Sequence, residues 1–202
     1  AGTPRIGKLL CINGTGIQYS WMQQNTTGNL GYPQMNELAG SVAPGSEGLR
    51  IFPFGNGAER MLRNVHPGAS IQNLDFNIHK QPHLYRAALE GIAFSFVYGM
   101  QLMAADGVDL QRIRAGNDNL FRAEAFTTTL AALSGKPVEL YEVTGAVGAA
   151  RACMVPGKGL EEVRRQTATR DYLATVMPPP ETESLLQGYL KWKRELKKHL
   201  KP

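Results

Sequence analysis

Cysteine is scarce in this sequence, which has only Cys11 and Cys153 among 202 residues. The two stand far apart and form no Cys-x-x-Cys motif, and the four histidines show no metal-ligand spacing. These absences exclude a disulfide-stapled fold and a zinc site of recognisable spacing. Both cysteines have small or apolar neighbours, so we predict two buried free thiols in a reducing compartment.

Long apolar segments and known catalytic signatures are also missing. No apolar run approaches the roughly 20 residues of a membrane span, and the first ten residues, AGTPRIGKLL, do not resemble a signal peptide. We therefore expect a cytoplasmic protein without membrane contact. There is no GxSxG or GxxxxGK[ST] motif and no Ser/His/Asp or Cys/His pairing, so the sequence indicates no self-contained catalytic centre. The histidines are predicted at surface or capping positions.

Positive charge is concentrated near the end of the chain. The net charge is +5, and the segment KWKRELKKHLK at 191–201 carries six lysines and arginines against one glutamate. Its apolar residues recur at helical spacing, which predicts a docked C-terminal helix with a solvated basic face. A nucleic-acid-binding helix is the alternative, because basic residues neutralise phosphates. We favour the docked helix and expect no nucleic-acid partner.

The hydrophobic pattern predicts an alternation of helices and strands. We predict residues 64–80 to be irregular and residues 156–202 to be a mainly helical extension. Strands are predicted at 5–12, 49–54, 111–115 and 138–141, and helices at 17–24, 34–41, 83–107, 120–133 and 145–154. From residue 84 onward the order is helix, strand, helix, strand, helix. That order indicates an α/β layer sandwich with crossover connections, which binds ligands where strands lead into helices.

Three glycine-containing segments compete for a functional role. We interpret 13–16 (Asn-Gly-Thr-Gly) and 55–60 (Gly-Asn-Gly-Ala-Glu-Arg) as structural turns, with anion or ligand contact as the alternative. The third is the pair of strand-to-helix turns at 115–119 and 144–150, both rich in glycine and alanine. Side by side, they would form a slot with small walls and exposed N–H groups. Such a slot suits a flat ring and phosphate, so we predict a nucleotide site there.

The order of motifs resembles the C-terminal domain of the FGGY carbohydrate kinases, most closely the xylulokinase-like members. The resemblance covers about residues 8–155, and the long helix followed by a glycine-containing loop is its most specific part. The motifs that carry it are GLRIFPFGNGAER at 48–60, HLYRAALEGIAFSFVYGM at 83–100, IRAGNDNLFRAEAF at 113–126 and KPVELYEVTGAVGAARAC at 136–153.

This resemblance implies an α/β domain with the actin/hexokinase-like (ribonuclease H-like) ATPase fold, a mixed sheet flanked by helices that lacks its first strands. ATP and Mg²⁺ would lie in a cleft between two halves, and the γ-phosphoryl would pass to a hydroxyl of a ketopentose such as D-xylulose. The resemblance implies nucleotide contacts, with phosphates and ribose at the first turn and adenine at the second, from Ala115, Gly116, Asn117, Asp118 and Asn119 and from Thr144, Gly145 and Ala146.

Two departures from the family pattern affect these expectations. The family has Gly-Gly-Gly-Ala or similar where this chain has Ala-Gly-Asn-Asp at 115–118. Only Gly116 therefore keeps the backbone freedom of glycine. Asp118 would repel phosphates unless it turns away or binds through Mg²⁺. The family's general-base aspartate and first phosphate loop would lie upstream of Ala1. We therefore expect residues 1–202 to be the C-terminal domain alone, without a catalytic residue, a metal ligand or kinase activity.

Other functions stay open at this point. The sugar would be bound mainly by the N-terminal domain, so the substrate could equally be glycerol, gluconate, ribulose or fuculose. A homodimer of the full-length protein is an arrangement that the sequence leaves open. A different class is a non-catalytic α/β binding module whose glycine-rich turns are only tight turns.

Overall fold

The computed structural model describes residues 7–26 and 28–200. Its helices are α1 (Thr15–Thr26), α2 (Tyr32–Gly40), α3 (Gln81–Ala105), α4 (Glu124–Ser134), α5 (Gly145–Ala152), α6 (Val155–Lys158), α7 (Leu160–Arg170) and α8 (Glu183–His199). Its strands are β1 (Arg50–Phe54), β2 (Gly68–Gln72), β3 (Ile113–Gly116), β4 (Val138–Tyr141) and β5 (Tyr172–Val176). Short 3₁₀ turns lie at Ser46–Gly48, Arg60–Leu62 and Asn119–Arg122.

The strands form two sheets. Strands β1 and β2 pair antiparallel, and the second sheet has the order β3-β4-β5. In it, β3 and β4 run parallel in the register Ile113↔Val138 to Gly116↔Tyr141, and β5 is antiparallel to β4. Helix α4 makes the crossover between the parallel strands, as such strands require. The predicted α/β class with a mixed sheet is confirmed.

Helix α3 is the centre of the hydrophobic core and packs against α2, α4 and β1. Thirteen of its residues are buried, because apolar side chains occur on most of its circumference. Two of the buried residues are charged and neutralise each other, since Arg86 Nε donates to Glu90 Oε1 at 2.7 Å. Gly91 is required at the contact with β1, where an added Cβ would lie 2.1 Å from the Ile51 carbonyl oxygen. Gly107 follows the helix with φ +84°, which confirms it as the predicted C′ residue.

The prediction that no apolar run approaches the length of a membrane span was wrong, because α3 has that length and apolar character. By length and composition α3 is long and apolar enough to span a membrane. The sequence estimate missed this because Arg86 and Glu90 interrupt the apolar run. However, 61% of the most apolar stretch of α3 is buried inside the protein. Core packing therefore accounts for the helix's apolar character.

Several element predictions also need correction. Residues 7–12 form no strand, and residues 5 and 6 of that predicted strand lie outside the described residues. The predicted irregular segment contains β2, and the predicted helical extension contains β5. The helix predicted from residue 120 begins at Glu124, because residues 119–122 form a 3₁₀ turn first. Both cysteines are free, but Cys11 is half-buried and Cys153 is exposed, so the prediction of two buried thiols was wrong.

Helix α8 docks through one apolar face, as predicted. Its buried residues are Leu185, Tyr189, Trp192 and Leu196. The Trp192 ring stacks on Phe52 with centroids 5.2 Å apart, and its indole N–H donates to the Ile51 carbonyl at 3.0 Å. The hydrogen bond satisfies a buried polar group, and the stacked rings tie α8 to β1.

Candidate functional site

The two predicted turns lie side by side at the carboxyl ends of β3 and β4. The N–H of Asn117 donates to the Tyr141 carbonyl at 2.7 Å, which extends the contact beyond the paired strands. Gly116 sits so close to the second turn that an added Cβ would lie 2.2 Å from the Val143 carbonyl oxygen. The structure therefore brings the two turns together, and glycine at 116 permits it.

The N–H groups of the first turn, 115–119, donate hydrogen bonds within the chain. Besides the Asn117 bond, the N–H of Asp118 donates to the Gly116 carbonyl at 2.8 Å. The N–H of Asn119 donates to Asp118 Oδ1, also at 2.8 Å. The Asp118 carboxylate thus caps the 3₁₀ turn that follows. The N–H groups at 117–119 are already bonded within the chain, contrary to the expectation that they face a phosphate.

The second turn keeps donors available. Thr144 is the N-cap of α5, with its Oγ1 accepting from the Val147 N–H at 3.4 Å. Among the hydrogen bonds of the described residues, the N–H groups of Gly145 and Ala146 have no acceptor. Orphan N–H groups at a helix N-terminus attract anions and acceptor atoms. The available donors therefore lie at 145–146.

An open cleft of about 710 Å³ adjoins both turns and is lined in part by Ala115, Gly116, Val143 and Gly148. Four arginines also line it, and none was predicted from the sequence: Arg114, Arg151, Arg164 and Arg165. Arg164 and Arg165 pair with the nearby Glu161 and Glu162 of α7, whereas Arg114 and Arg151 pair over longer distances. Their ion-pair partners are Glu139 and Asp171, 25 and 20 residues away along the chain. The sequence offers no local signal for pairs at that separation.

Arg114 belongs to a polar network on the face of the sheet. Its Nε donates to Glu139 Oε2 at 2.7 Å, and the Tyr141 hydroxyl donates to the same oxygen at 2.8 Å. The Arg114 bond is the main cause that lowers the pKa of Glu139, and the same bond raises the pKa of Arg114. Desolvation, followed by the Glu139 bond, raises the pKa of Tyr141. This network fixes an ionised carboxylate beside the cleft.

Arg151 joins α5 to the segment before β5. Its guanidinium forms an ion pair with Asp171 through both terminal nitrogens, and the Nη2–Oδ1 distance is 3.2 Å. Asp171 is buried, and its carbonyl accepts from the Glu142 N–H at 2.7 Å. Since none of the residues of α5 is buried, this ion pair is the principal tie we find between α5 and the sheet.

The segments 13–16 and 55–60 meet each other. Both oxygens of the buried Glu59 carboxylate accept from the Asn13 N–H, at 2.9 and 3.0 Å. An added Cβ at Gly14 would lie 1.7 Å from the Pro53 carbonyl oxygen. Glu59 therefore stabilises the turn, and among the described residues it forms no ion pair with Arg60. These contacts agree with the structural interpretation of both segments.

A second, apolar cavity of about 430 Å³ nevertheless borders the 13–16 turn. Gly14, Gln18 and Trp21 help to line it. The Oε1 atom of Gln18 is buried and has no hydrogen-bond partner. A buried acceptor without a hydrogen bond is unusual in a folded protein. Gln18 was not predicted as a site residue.

Metal ligands are not grouped in the part of the chain that the structure describes: no cluster of three His, Cys, Asp or Glu side chains could hold an ion there. His66 and His199 are exposed, and His83 caps α3 by accepting from the Lys80 N–H at 3.1 Å. His79 departs from the prediction, because it is buried and its Nδ1 accepts from the Asp75 N–H at 2.9 Å. It anchors the 75–79 loop.

Comparison with known proteins gives a consistent family match. Residues 12–156 match the FGGY family of carbohydrate kinases, C-terminal domain. Over 86 residues, 43% of this chain, the sequence is 34% identical to the xylulose kinase of Haemophilus influenzae. Over 116 residues, 52% of this chain, it is 31% identical to the gluconokinase of Bacillus subtilis.

Solved structures show the same fold. The xylulose kinase from Rhodospirillum rubrum superimposes with a TM-score of 0.79 and 24% identity over 94% of this chain. The Plasmodium falciparum glycerol kinase with ADP superimposes with a TM-score of 0.77 and 18% identity over 95% of this chain. The chain matches 17% and 22% of the lengths of the two curated relatives, and 39% and 38% of these two solved chains.

Proposed function

Because the chain belongs to the FGGY family of carbohydrate kinases, as a C-terminal domain of that family, we propose that it is the nucleotide-binding half of an ATP-dependent sugar kinase. The observation that carries this proposal is the pairing of two small-residue turns at the carboxyl ends of parallel strands, next to an open cleft. Sheets of this kind bind ligands at that edge.

The residues at this edge fit a nucleotide in part. The unpaired N–H groups of Gly145 and Ala146 would donate to the nucleotide, and the close approach at Gly116 keeps the wall of the slot thin. The backbone N–H groups of the first turn are bonded within the chain, so this turn would contact the nucleotide by packing rather than by N–H donation; its residues are Asn117, Asp118 and Asn119. Ala115 and Thr144 would lie at the margins.

We propose a phosphoryl transfer from ATP to a hydroxyl of a ketopentose, with D-xylulose as the first choice. Support comes from the relatives named xylulose kinase in sequence and in structure. Gluconate and glycerol are alternatives, since a gluconokinase and a glycerol kinase also match; ribulose and fuculose are further ones. The sugar pocket and the general base would be supplied by residues outside this chain.

Mg²⁺ would reach the site bound to the nucleotide. It would supply charge neutralisation at the phosphates during transfer. The described residues offer it no cluster of ligands, and Asp118 is engaged in capping the 3₁₀ turn. This chain would hold the nucleotide through the 144–146 turn and would leave metal coordination to the phosphates.

A pair of substitutions at one position tests the nucleotide site. Gly145 is the first residue of α5, where proline is well tolerated and the preceding residue already has an extended backbone (Thr144 φ −101°, ψ 165°). Gly145→Pro removes the N–H without breaking a helical hydrogen bond. Gly145→Ala is the matched control, because it keeps the N–H and its methyl group meets nothing within 4 Å.

We expect the 202-residue chain to bind MgADP weakly, and Gly145→Pro to weaken binding about tenfold, the effect of losing one hydrogen bond to a charged group. Gly145→Ala should bind like the wild type in isothermal titration. Equal affinities for all three proteins, or no binding at all, would favour the non-catalytic binding module. In a coupled assay with MgATP and D-xylulose, we expect no turnover by this chain, because in-line transfer needs contacts from both halves of the cleft.

A further inference from the structure

The turn at Gly45–Gly48 has a left-handed backbone throughout. Its four φ values are +93° for Gly45, +50° for Ser46, +49° for Glu47 and +90° for Gly48. Two of these residues are not glycine, and side chains at such φ values are strained. Strained backbone of this kind persists only where the surrounding contacts hold it, and it concentrates at binding sites.

A buried carboxylate holds the turn in place. Glu90 Oε1 accepts from the Gly45 N–H at 2.8 Å and from Arg86 Nε at 2.7 Å, and Glu90 Oε2 accepts from the Ser46 hydroxyl at 3.0 Å. The charge of Glu90 is therefore balanced by Arg86, and both of its oxygens are in use. Glu90 also lines a cavity next to the turn, but it leaves no unpaired negative charge there.

A cavity of about 190 Å³ lies between this turn, the start of β1 and one face of α8. Two cations line it, Arg50 from β1 and Lys191 from α8. Arg50 Nη1 donates to the Gly48 carbonyl at 3.0 Å, but Arg50 Nε is buried without any hydrogen-bond partner. Among the described residues neither cation has a carboxylate within salt-bridge distance.

The nearby carboxylates of Glu47 and Glu195 contact other groups. Glu47 also lines the cavity, but its Oε1 lies 3.9 Å from His83 Nε2 and its side chain is 55% exposed. Glu195, one turn beyond Lys191 on α8, accepts from Lys198 Nζ at 2.8 Å; that bond is the main cause that lowers the pKa of Glu195, and the charge of Arg50 adds to the lowering. Because Glu90 is balanced by Arg86, the remaining charged groups that line the cavity are Arg50 and Lys191 against the half-exposed Glu47.

We propose that this cavity binds a small oxyanion of phosphate size between Arg50 and Lys191. An oxyanion satisfies the buried Nε–H, which otherwise lacks the hydrogen bond that a buried donor requires. Guanidinium groups match the geometry of oxyanions, and lysine adds a second charge. The cavity is smaller than the roughly 300 Å³ of sites for drug-sized ligands, so it suits an inorganic ion better than a nucleotide. The proposal does not depend on the kinase assignment.

Inorganic phosphate is the probe, and ¹⁵N NMR of the full 202-residue chain is the measurement, because an arginine Nε–H gives its own signal. We expect saturable shifts at Arg50 Nε–H and at the Gly45 and Gly48 amides. Lys191→Met and Arg50→Met should each weaken phosphate binding about tenfold or more. Lys197→Met is the matched control on the same helix, since Lys197 is exposed and does not line the cavity; it should leave the affinity unchanged.

Two results would overturn the proposal. One is an equal loss of affinity in Lys197→Met, which would mean that phosphate responds only to the overall charge of α8. The other is phosphate-dependent shifts confined to 114–116 and 145–151, which would place the ion in the cleft at the two turns. Lys191 is exposed, so its substitution remains a valid test even if Arg50→Met does not fold. A parallel titration with methyl phosphate distinguishes the free ion from a phosphate ester, and we expect the ester to bind more weakly.

Discussion

Replacing Gly91 by alanine tests how closely α3 must approach β1. The added Cβ would lie 2.1 Å from the Ile51 carbonyl oxygen and 3.1 Å from the carbonyl carbon, so the strand backbone has to move. Overpacking a core in this way costs about 1–3 kcal/mol. The same carbonyl accepts from the Trp192 indole, and loss of that bond adds about 0.5–1.5 kcal/mol.

The helix itself would gain from the change, because alanine is favoured over glycine by about 1 kcal/mol in a helix interior. The sum predicts that Gly91→Ala lowers the free energy of unfolding by about 0.5–3.5 kcal/mol. Gly188→Ala in α8 is the matched control, since its Cβ would lie 3.5 Å from the Phe94 ring, an ordinary contact. That variant should be as stable as the wild type or more so.

Urea unfolding followed by circular dichroism measures both variants, and tryptophan fluorescence reports on the buried Trp192 together with the exposed Trp21. If Gly91→Ala matched or exceeded the wild type in stability, the backbone contact between α3 and β1 would not exist as described. If Gly188→Ala were destabilised as strongly as Gly91→Ala, helix substitution in general, rather than the close contact, would be the cause.

Three further predictions concern buried charge, titration and thiol exposure. Glu90→Ala should lower the free energy of unfolding by about 3–5 kcal/mol in thermal or urea unfolding, because it leaves Arg86 buried without its partner; a loss below 1 kcal/mol would contradict this. Arg114→Met should raise the pKa of Glu139 toward its ordinary value in an NMR titration, since the Arg114 bond is the main cause of its lowering. The linked stability is present above the unfolded pKa of Glu139 and lost as pH falls through its folded pKa, so the variant should lose less stability on acidification. Cys153 should react with a thiol reagent faster than Cys11, because Cys153 is exposed and Cys11 is half-buried; the reverse order would mean that α5 packs differently.

The sequence predicted those parts of the fold whose signals are local. Helix α3 was predicted because its apolar residues repeat at helical spacing, and β4 because a short apolar run follows a Gly-Lys-Pro turn. Strand β2 was missed because Gly68–Gln72 is short, half-exposed and poor in β-branched residues, and its pairing with β1 is a tertiary contact. Residues 7–12 have a strand-like composition but pair with no strand in the described part of the chain.

The candidate site divides in the same way. The adjacency of the 115–119 and 144–146 turns was predicted from the parallel order of two strands, and the two turns are adjacent in the structure. The internal bonding of the N–H groups at 117–119 did not follow, because it depends on where the 3₁₀ turn begins. Three residues were not predicted: Arg114, Arg151 and Gln18. The two arginines pair with carboxylates that are distant along the chain, and the burial of the unpaired Gln18 oxygen depends on tertiary packing.

The measurement that tests the central claim most directly is an NMR titration of the 202-residue chain with MgADP, with backbone assignments. A nucleotide-binding half of a sugar kinase predicts saturable shifts at Gly116, Gly145 and Ala146, with weak affinity. Those shifts should be lost in Gly145→Pro and kept in Gly145→Ala. A chain that shows no saturable shift at either turn would contradict the nucleotide-binding function proposed for it.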